Sequence, residues 1–249
     1  MSNEDKIMSV KFISHRGESL DAPENTIPAF ALSLERKSDG MECDIYLTAD
    51  KYLVCNHDGN TFRVSGEKVD ADVNKTTFAD LQKIDVSNGK PGFVNTHIPL
   101  WKDTLAYLGD REYYVEIKRG DVSVVPVLIE QMDESGIPQK QFTMISFGDE
   151  VVKAYKEAAP ERRALLLIGG EPTVTAEEAI ERLKACKADG LDLRGSDNVD
   201  QEYVDKIHAA GYTLDIWTVD DPEKAKRFID YGVEGLTSNC AAELKNIFA

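Results

Sequence analysis

Basic charge is in short supply in this chain. Over 249 residues, 29 Lys and Arg face 45 Asp and Glu, a formal net charge of −16, so the average field repels nucleic acid and anionic membranes. Most of that acidity reads as a solvated surface. An anionic small molecule would be repelled too, so any site for one needs a local cluster of positive charge. Cysteine is limited to Cys43, Cys55, Cys186 and Cys240 with no C-x-x-C spacing, and free buried thiols, as in a reducing compartment, are the expectation. No apolar run reaches the length of a membrane span. Residues 1–10 are polar and lack the apolar core of a signal peptide, which points to a cytoplasmic location. No G-x-G-x-x-G or P-loop pattern follows the first strand, which weighs against an open doubly wound nucleotide-binding sheet.

What is present is a regular alternation. Apolar composition of 42% with 30% charged residues can bury a core. Short buried runs predict strands at 10–14, 40–47, 113–118, 142–147, 164–168, 191–193, 213–219 and 235–237, with a further short strand at 52–58 as a hairpin extension of the second. Helical spacing predicts helices at 27–36, 101–108, 124–132, 151–158, 176–187, 201–210, 223–231 and 241–248. Eight parallel βα units in this length close most economically as a (β/α)8 TIM barrel, an α/β fold, with residues 1–249 as one domain. From 59 to 97 the periodicity is lost. A loop of that length marks a functional insertion after the second strand.

The candidate site residues fall where a barrel keeps its chemistry, at the carboxyl ends of the strands: His15, Arg16, Glu116, Lys118, Phe147 and Trp217. Glu42 and Asp44, two apart on a buried strand, share one face while Met41, Cys43 and Ile45 share the other. Adjacent buried carboxylates repel unless a cation lies between them, which makes this pair the strongest metal signal. Glu116 and Lys118 repeat the spacing; a structural salt bridge across the barrel is the plainer alternative. Gly17 allows a turn where a side chain would crowd a phosphate. Asn25 or Thr26 fits the N-cap of the first helix. Trp217 on its own reads as core packing. His97 and His208 read as surface residues. Asp215 is an acid on an inward face with no evident role, and Tyr46, Asp192 and Arg194 are either interior or rim.

Ile13-Ser14-His15-Arg16-Gly17, Ala22-Pro23-Glu24-Asn25-Thr26, Gly40-Met41-Glu42-Cys43-Asp44, His57-Asp58, Val115-Glu116-Ile117-Lys118 and Trp217-Thr218-Val219-Asp220 occur in the order that resembles the glycerophosphodiester phosphodiesterase family. The resemblance covers nearly the whole chain. It departs at Thr237-Ser238-Asn239-Cys240, where an acidic-and-proline ending is common. It implies hydrolysis of glycerophosphodiesters to sn-glycerol 3-phosphate and an alcohol. Glu42, Asp44 and Glu116 would hold one divalent cation, and oxygen ligands of this kind suit Mg2+ or Ca2+. His15 and His57 would be the acid-base pair, since imidazole titrates near neutrality, and Arg16 with Lys118 would stabilise the phosphoryl oxygens. The resemblance also implies that Asn25 lines the site, that Phe147 and Trp217 wall the alcohol side, and that 59–97 is a small subdomain over the mouth. Which histidine is base and which acid stays open on the sequence, as does attack by the 2-hydroxyl or by water.

The expected partner is thus a small-molecule glycerophosphodiester, without nucleic acid or stable membrane insertion. A lysophospholipase D-like activity would require an apolar rim, for which 59–97 is too polar. A non-catalytic barrel binding a phosphate ligand would have lost a histidine or a metal carboxylate, and all five are retained.

Overall fold

The computed structural model describes residues 10–170 and 173–248; the stretch 1–9, within the segment read as leaderless, lies outside them. The strands are β1 (Lys11–Ser14), β2 (Gly40–Leu47), β3 (Leu53–Cys55), β4 (Glu112–Ile117), β5 (Phe142–Ser146), β6 (Arg163–Ile168), β7 (Gly190–Arg194), β8 (Thr213–Trp217) and β9 (Gly235–Ser238). Neighbours in space run β1, β9, β8, β7, β6, β5, β4, β2, and the pairing of β1 with β2 closes the ring. Every pairing in the ring is parallel. The architecture is therefore the (β/α)8 barrel that the alternation predicts, with β3 antiparallel to the end of β2 as a hairpin. The strands read as near-continuous apolar runs because each is buried on both faces, by helices outside and by the packed interior.

The helices are α1 (Ile27–Glu35), α2 (Phe78–Leu81), α3 (Trp101–Thr104), α4 (Val124–Glu134), α5 (Asp149–Ala158), α6 (Ala176–Cys186), α7 (Gln201–Ala209), α8 (Pro222–Tyr231) and α9 (Ala241–Phe248). The helix expected over 101–108 splits into α3 and a 3-10 turn at Leu105–Tyr107. The Thr104 hydroxyl hydrogen-bonds the Trp101 carbonyl and the Tyr113 hydroxyl, and such side-chain bonds to the preceding turn compete with regular helix. Met41, Cys43 and Ile45 join the layer between strands and helices, as their alternation requires. All four cysteines are buried free thiols.

Residues 59–97 carry little regular structure but enclose an apolar cluster of their own, in which Val64, Val73, Leu81, Ile84 and Val86 pack on Tyr46 and Val54. Apolar residues spaced irregularly through a polar stretch can form such a cluster without a helix or strand period. Tyr46, undecided on the sequence, thus faces the insertion. Lys90 Nζ donates to the Ser19 and Leu20 carbonyls at 2.8 and 2.5 Å, tying the insertion to the loop after β1.

The barrel interior contains the partners that Asp215 lacked on the sequence. Its Oδ2 accepts from the Tyr114 hydroxyl at 2.7 Å, and Arg163 reaches both, with Nη1 on that hydroxyl at 2.9 Å and Nη2 3.5 Å from the carboxylate. Gly235 leaves room for this group, since a Cβ there would lie 2.9 Å from Asp215 Cγ. Asp215→Ala removes the acceptor and leaves a guanidinium and a phenol without it, and is expected to cost about 3 kcal/mol in urea unfolding. A loss below a few tenths would show the network to be dispensable.

Candidate active site

At the carboxyl end of β2, Glu42 and Asp44 point inward beside Glu116 of β4, since Asp44 is paired in register with Glu116. Oxygens of the three carboxylates lie within 4.8 Å of one another, and all three residues are buried. Burial and then the neighbouring Asp44 charge push Glu42 well above the usual carboxylate range and Glu116 up to about 8. Burial drives Asp44 the same way, but Lys118, Arg16 and both site histidines outweigh it and hold this carboxyl below its ordinary value.

The loop after β1 wraps this cluster. Arg16 adopts φ 58° and Asn25 φ 55°, left-handed conformations uncommon for residues other than glycine. The first turns the Arg16 amide onto Glu42 Oε2 at 2.8 Å, while the guanidinium reaches Glu24 at 2.8 Å and Asp44 at 3.2 Å. Asn25 does not cap α1. The N-cap position is Thr26, whose hydroxyl donates to the Pro23 carbonyl. Nor does Asn25 line the cavity: its Nδ2 donates to Asp44 Oδ2 at 2.7 Å and its Oδ1 accepts from the Asp44 amide at 3.1 Å, clamping that carboxylate. Gly17 is demanded by the helix rather than by a ligand, because a Cβ would lie 2.5 Å from the Ala29 carbonyl carbon.

Lys118 lies one residue beyond the strand on which it was expected, in a 3-10 turn at Lys118–Gly120. Its Nζ still bridges Glu116 at 2.9 Å and Asp44 at 3.2 Å. A salt bridge of the plainer kind is therefore present, and it lies inside the site.

The two histidines flank the cluster with different partners. His15 Nδ1 lies 2.7 Å from Asn239 Oδ1, and the Asn239 amide nitrogen donates to Asp220. That bond fixes the amide so that its oxygen faces the ring, which assigns the proton to Nδ1 and leaves Nε2 as an acceptor. Burial and then the Arg16 charge lower this imidazole to about 4. His57 Nδ1 lies 2.8 Å from the carboxylate of Asp58, whose other oxygen accepts from Arg63 at 2.7 Å. Burial, with Arg16 and Lys118, lowers His57 as well, against the pull of Asp44 and Asp58.

Phe147 and Trp217 pack edge to face at 5.5 Å between ring centroids. With His15, Arg16, Glu42, His57, Glu116, Lys118, Ile145, Leu167, Asp192 and Thr237 they line a cavity of about 90 Å³ at the end of the barrel where such folds bind ligands. Glu24, Asp58, Arg63, Asn239 and Asp192 were missed as site residues on the sequence. Of these only Asp58 had a visible signal, its place beside His57. His97 lies off the site with Nδ1 on the Ile84 carbonyl at 3.0 Å, and His208 contacts Glu234 at 3.2 Å. Arg194 is exposed at the rim.

The family model for the glycerophosphoryl diester phosphodiesterase family matches residues 15–242. The chain belongs to that family. A glycerophosphodiester phosphodiesterase of Caldanaerobacter subterraneus is 30% identical over 248 residues, which span 96% of this chain and 98% of that protein. One from Bacillus subtilis is 26% identical, across 94% of this chain and 84% of its own length. Among solved structures, an Oleispira antarctica phosphodiesterase in complex with the product sn-glycerol-3-phosphate superposes with a TM-score of 0.85 at 23% identity, covering 95% of each chain.

Three buried carboxylates supply hard oxygen donors. Among the described residues the Arg16 amide is the one hydrogen-bond donor to Glu42, and burial with the Asp44 charge shifts Glu42 and Glu116 toward the neutral form. A divalent cation fits this donor set. Protons compete with metal for such groups, so metal affinity should rise between pH 6 and pH 8 as Glu116, pushed up to about 8, gives up its proton, with proton release on binding. Calorimetry in buffers of different ionisation enthalpy reads both; an affinity flat across that range contradicts it.

Proposed function

We propose that this protein hydrolyses glycerophosphodiesters to sn-glycerol 3-phosphate and an alcohol, as a phosphoric diester hydrolase built from one barrel whose residues 59–97 form a small subdomain beside the mouth. The observation that carries the reading is a three-carboxylate cluster, of which Glu42 and Glu116 line a cavity, meeting two cationic side chains and two differently partnered imidazoles on that cavity. A divalent cation held by Glu42, Asp44 and Glu116, with Mg2+ or Ca2+ the best matches to that donor set, would supply Lewis-acid charge against the phosphoryl oxygens.

The residues of the chain account for the rest. Arg16 and Lys118 orient the phosphoryl group and counter charge developing on its oxygens. Asn25 keeps Asp44 turned inward. The histidine roles follow from their partners. An imidazole whose Nδ1–H meets a neutral amide starts the cycle unprotonated, so His15 Nε2 takes the proton from the attacking oxygen. Burial, Arg16 and Lys118 lower His57, but it is the imidazole of the two that a carboxylate backs, and that carboxylate offsets part of the lowering, so His57 is assigned the proton that passes from Nε2 to the leaving alkoxide. Phe147 and Trp217 exclude water from the organic side of the diester.

Release of glycerol 3-phosphate from a panel of glycerophosphodiesters, measured after chelation with single divalent ions added back, tests the reading. Activity is expected to vanish with EDTA and to return with Mg2+ or Ca2+; a chelated enzyme as fast as the untreated one refutes the metal site. His15→Ala and His57→Ala should each lower kcat by roughly 10²-fold or more. Parent-like hydrolysis of glycerophosphocholine by His57→Ala would remove it from the acid-base pair. Asp58→Asn should lower kcat with little change in KM and move the alkaline limb of the pH profile, where the general acid loses its proton, to lower pH, because the imidazolium loses its carboxylate; an unmoved profile assigns Asp58 to structure alone.

A further inference from the structure

Asp192 is a buried acid that the proposed mechanism leaves unused. It is 1% exposed, it lines the cavity, and its Oδ1 has no hydrogen-bond partner among the described residues. Its neighbours Leu191 and Leu193 face outward into the helix-packed layer, so alternation turns Asp192 to the barrel axis. Trp217 Nε1 donates to the Asp192 carbonyl at 3.1 Å, which leaves the carboxyl itself free for other contacts. Asp215, its partner in register on β8, differs: Tyr114 and Arg163 satisfy one of its oxygens, and it lies below the cavity rather than in its lining.

The placement says what could meet this carboxyl. Between β7 and β2 lie β1, β9 and β8 on one side of the ring and β4, β5 and β6 on the other, so Asp192 faces the acidic cluster from directly across the barrel. Around it the cavity wall is Ile145, Leu167, Phe147 and Trp217, with Thr237 as another polar group. A diester whose phosphoryl group is held by Arg16 and Lys118 extends its organic part to this wall. An unpartnered buried carboxyl there favours an organic group that brings its own hydrogen-bonding hydroxyl and penalises one that leaves it unpaired.

We propose that the Asp192 carboxyl sets specificity by hydrogen-bonding a hydroxyl of the diester's organic part, against the Phe147 and Trp217 wall. The inference rests on the phosphodiesterase reading above. Burial and then the charge of Asp215 push Asp192 well above the ordinary carboxyl range, a direction that favours the neutral carboxyl and suits a hydroxyl rather than a cationic headgroup.

Steady-state kinetics of the parent, Asp192→Leu and Asp192→Asn on glycerophosphoglycerol and glycerophosphocholine test it. Asp192→Leu is expected to raise KM roughly five- to tenfold, the worth of one hydrogen bond, with kcat changed far less. Asp192→Asn, which keeps an acceptor and a donor, should recover most of that loss. A penalty on both substrates assigns the contact to the shared glycerol, and a penalty confined to glycerophosphoglycerol assigns it to the leaving alcohol; both support the proposal. An unchanged KM on both overturns it. So does a penalty larger for glycerophosphocholine that Asn fails to rescue, which is the signature of a cation site. Should Asp192→Leu misfold, Asp192→Ala, checked by thermal melting, takes its place. A parent that releases no glycerol 3-phosphate with any added metal sinks the phosphodiesterase reading and this inference with it, whereas an active parent with an indifferent Asp192→Leu sinks this inference alone.

Discussion

Glu42, Asp44 and Glu116 are held within 4.8 Å of one another in a buried setting, and the remainder of the site is arranged around the cost of keeping them there. Carboxylates taken out of water and set against each other resist ionisation. The surroundings answer with Arg16 and Lys118, with the Arg16 amide turned onto Glu42 by a left-handed backbone, and with the Asn25 amide clamped on Asp44. Those groups come from two turns at the carboxyl ends of the strands, Arg16 and Asn25 from the loop after β1 and Lys118 from the turn after β4. A closed parallel barrel is what brings these turns together.

A second chain of contacts runs around the mouth. Arg16 meets Glu24, Glu24 meets Arg63, Arg63 meets Asp58, and Asp58 meets His57. Arg63 belongs to the insertion, so the stretch without periodicity helps orient an imidazole at the end of β3. Lys90, on the carbonyls of Ser19 and Leu20, fastens the same insertion to the loop that carries Arg16. The insertion therefore acts on the geometry of the site.

The fold was legible because its signal is local. Strands buried on both faces and helices with one apolar stripe announce themselves within ten residues, and their alternation leaves few topologies. Glu42 and Asp44 were legible for the same reason, two acids on one face of an otherwise apolar strand. Asn239, Arg63 and Glu24 were not, because a loop polar residue looks the same whether it faces water or a histidine across the barrel mouth. Lys118 was misplaced by one step, since the chain leaves the strand at Ile117 and a 3-10 turn rather than strand alternation aims the side chain inward. Asn25 was read as a cap from its position before a helix and as lining the site from the family resemblance, and only the register of β2 against the loop reveals Asp44 as its partner.

The charge of the site reconciles an acidic protein with an anionic substrate. Counting the groups joined in this network, five carboxylates (Glu24, Glu42, Asp44, Asp58, Glu116) face three permanent cations (Arg16, Arg63, Lys118). The deficit is two charges. Protons on Glu42 and Glu116 would cover it, the direction in which burial and the Asp44 charge already push both acids. One divalent cation would cover it equally and would return Arg16 and Lys118 from balancing carboxylates to facing a phosphodiester. In a chain of net charge −16 that exchange would turn an inward-facing acidic pocket into an anion site.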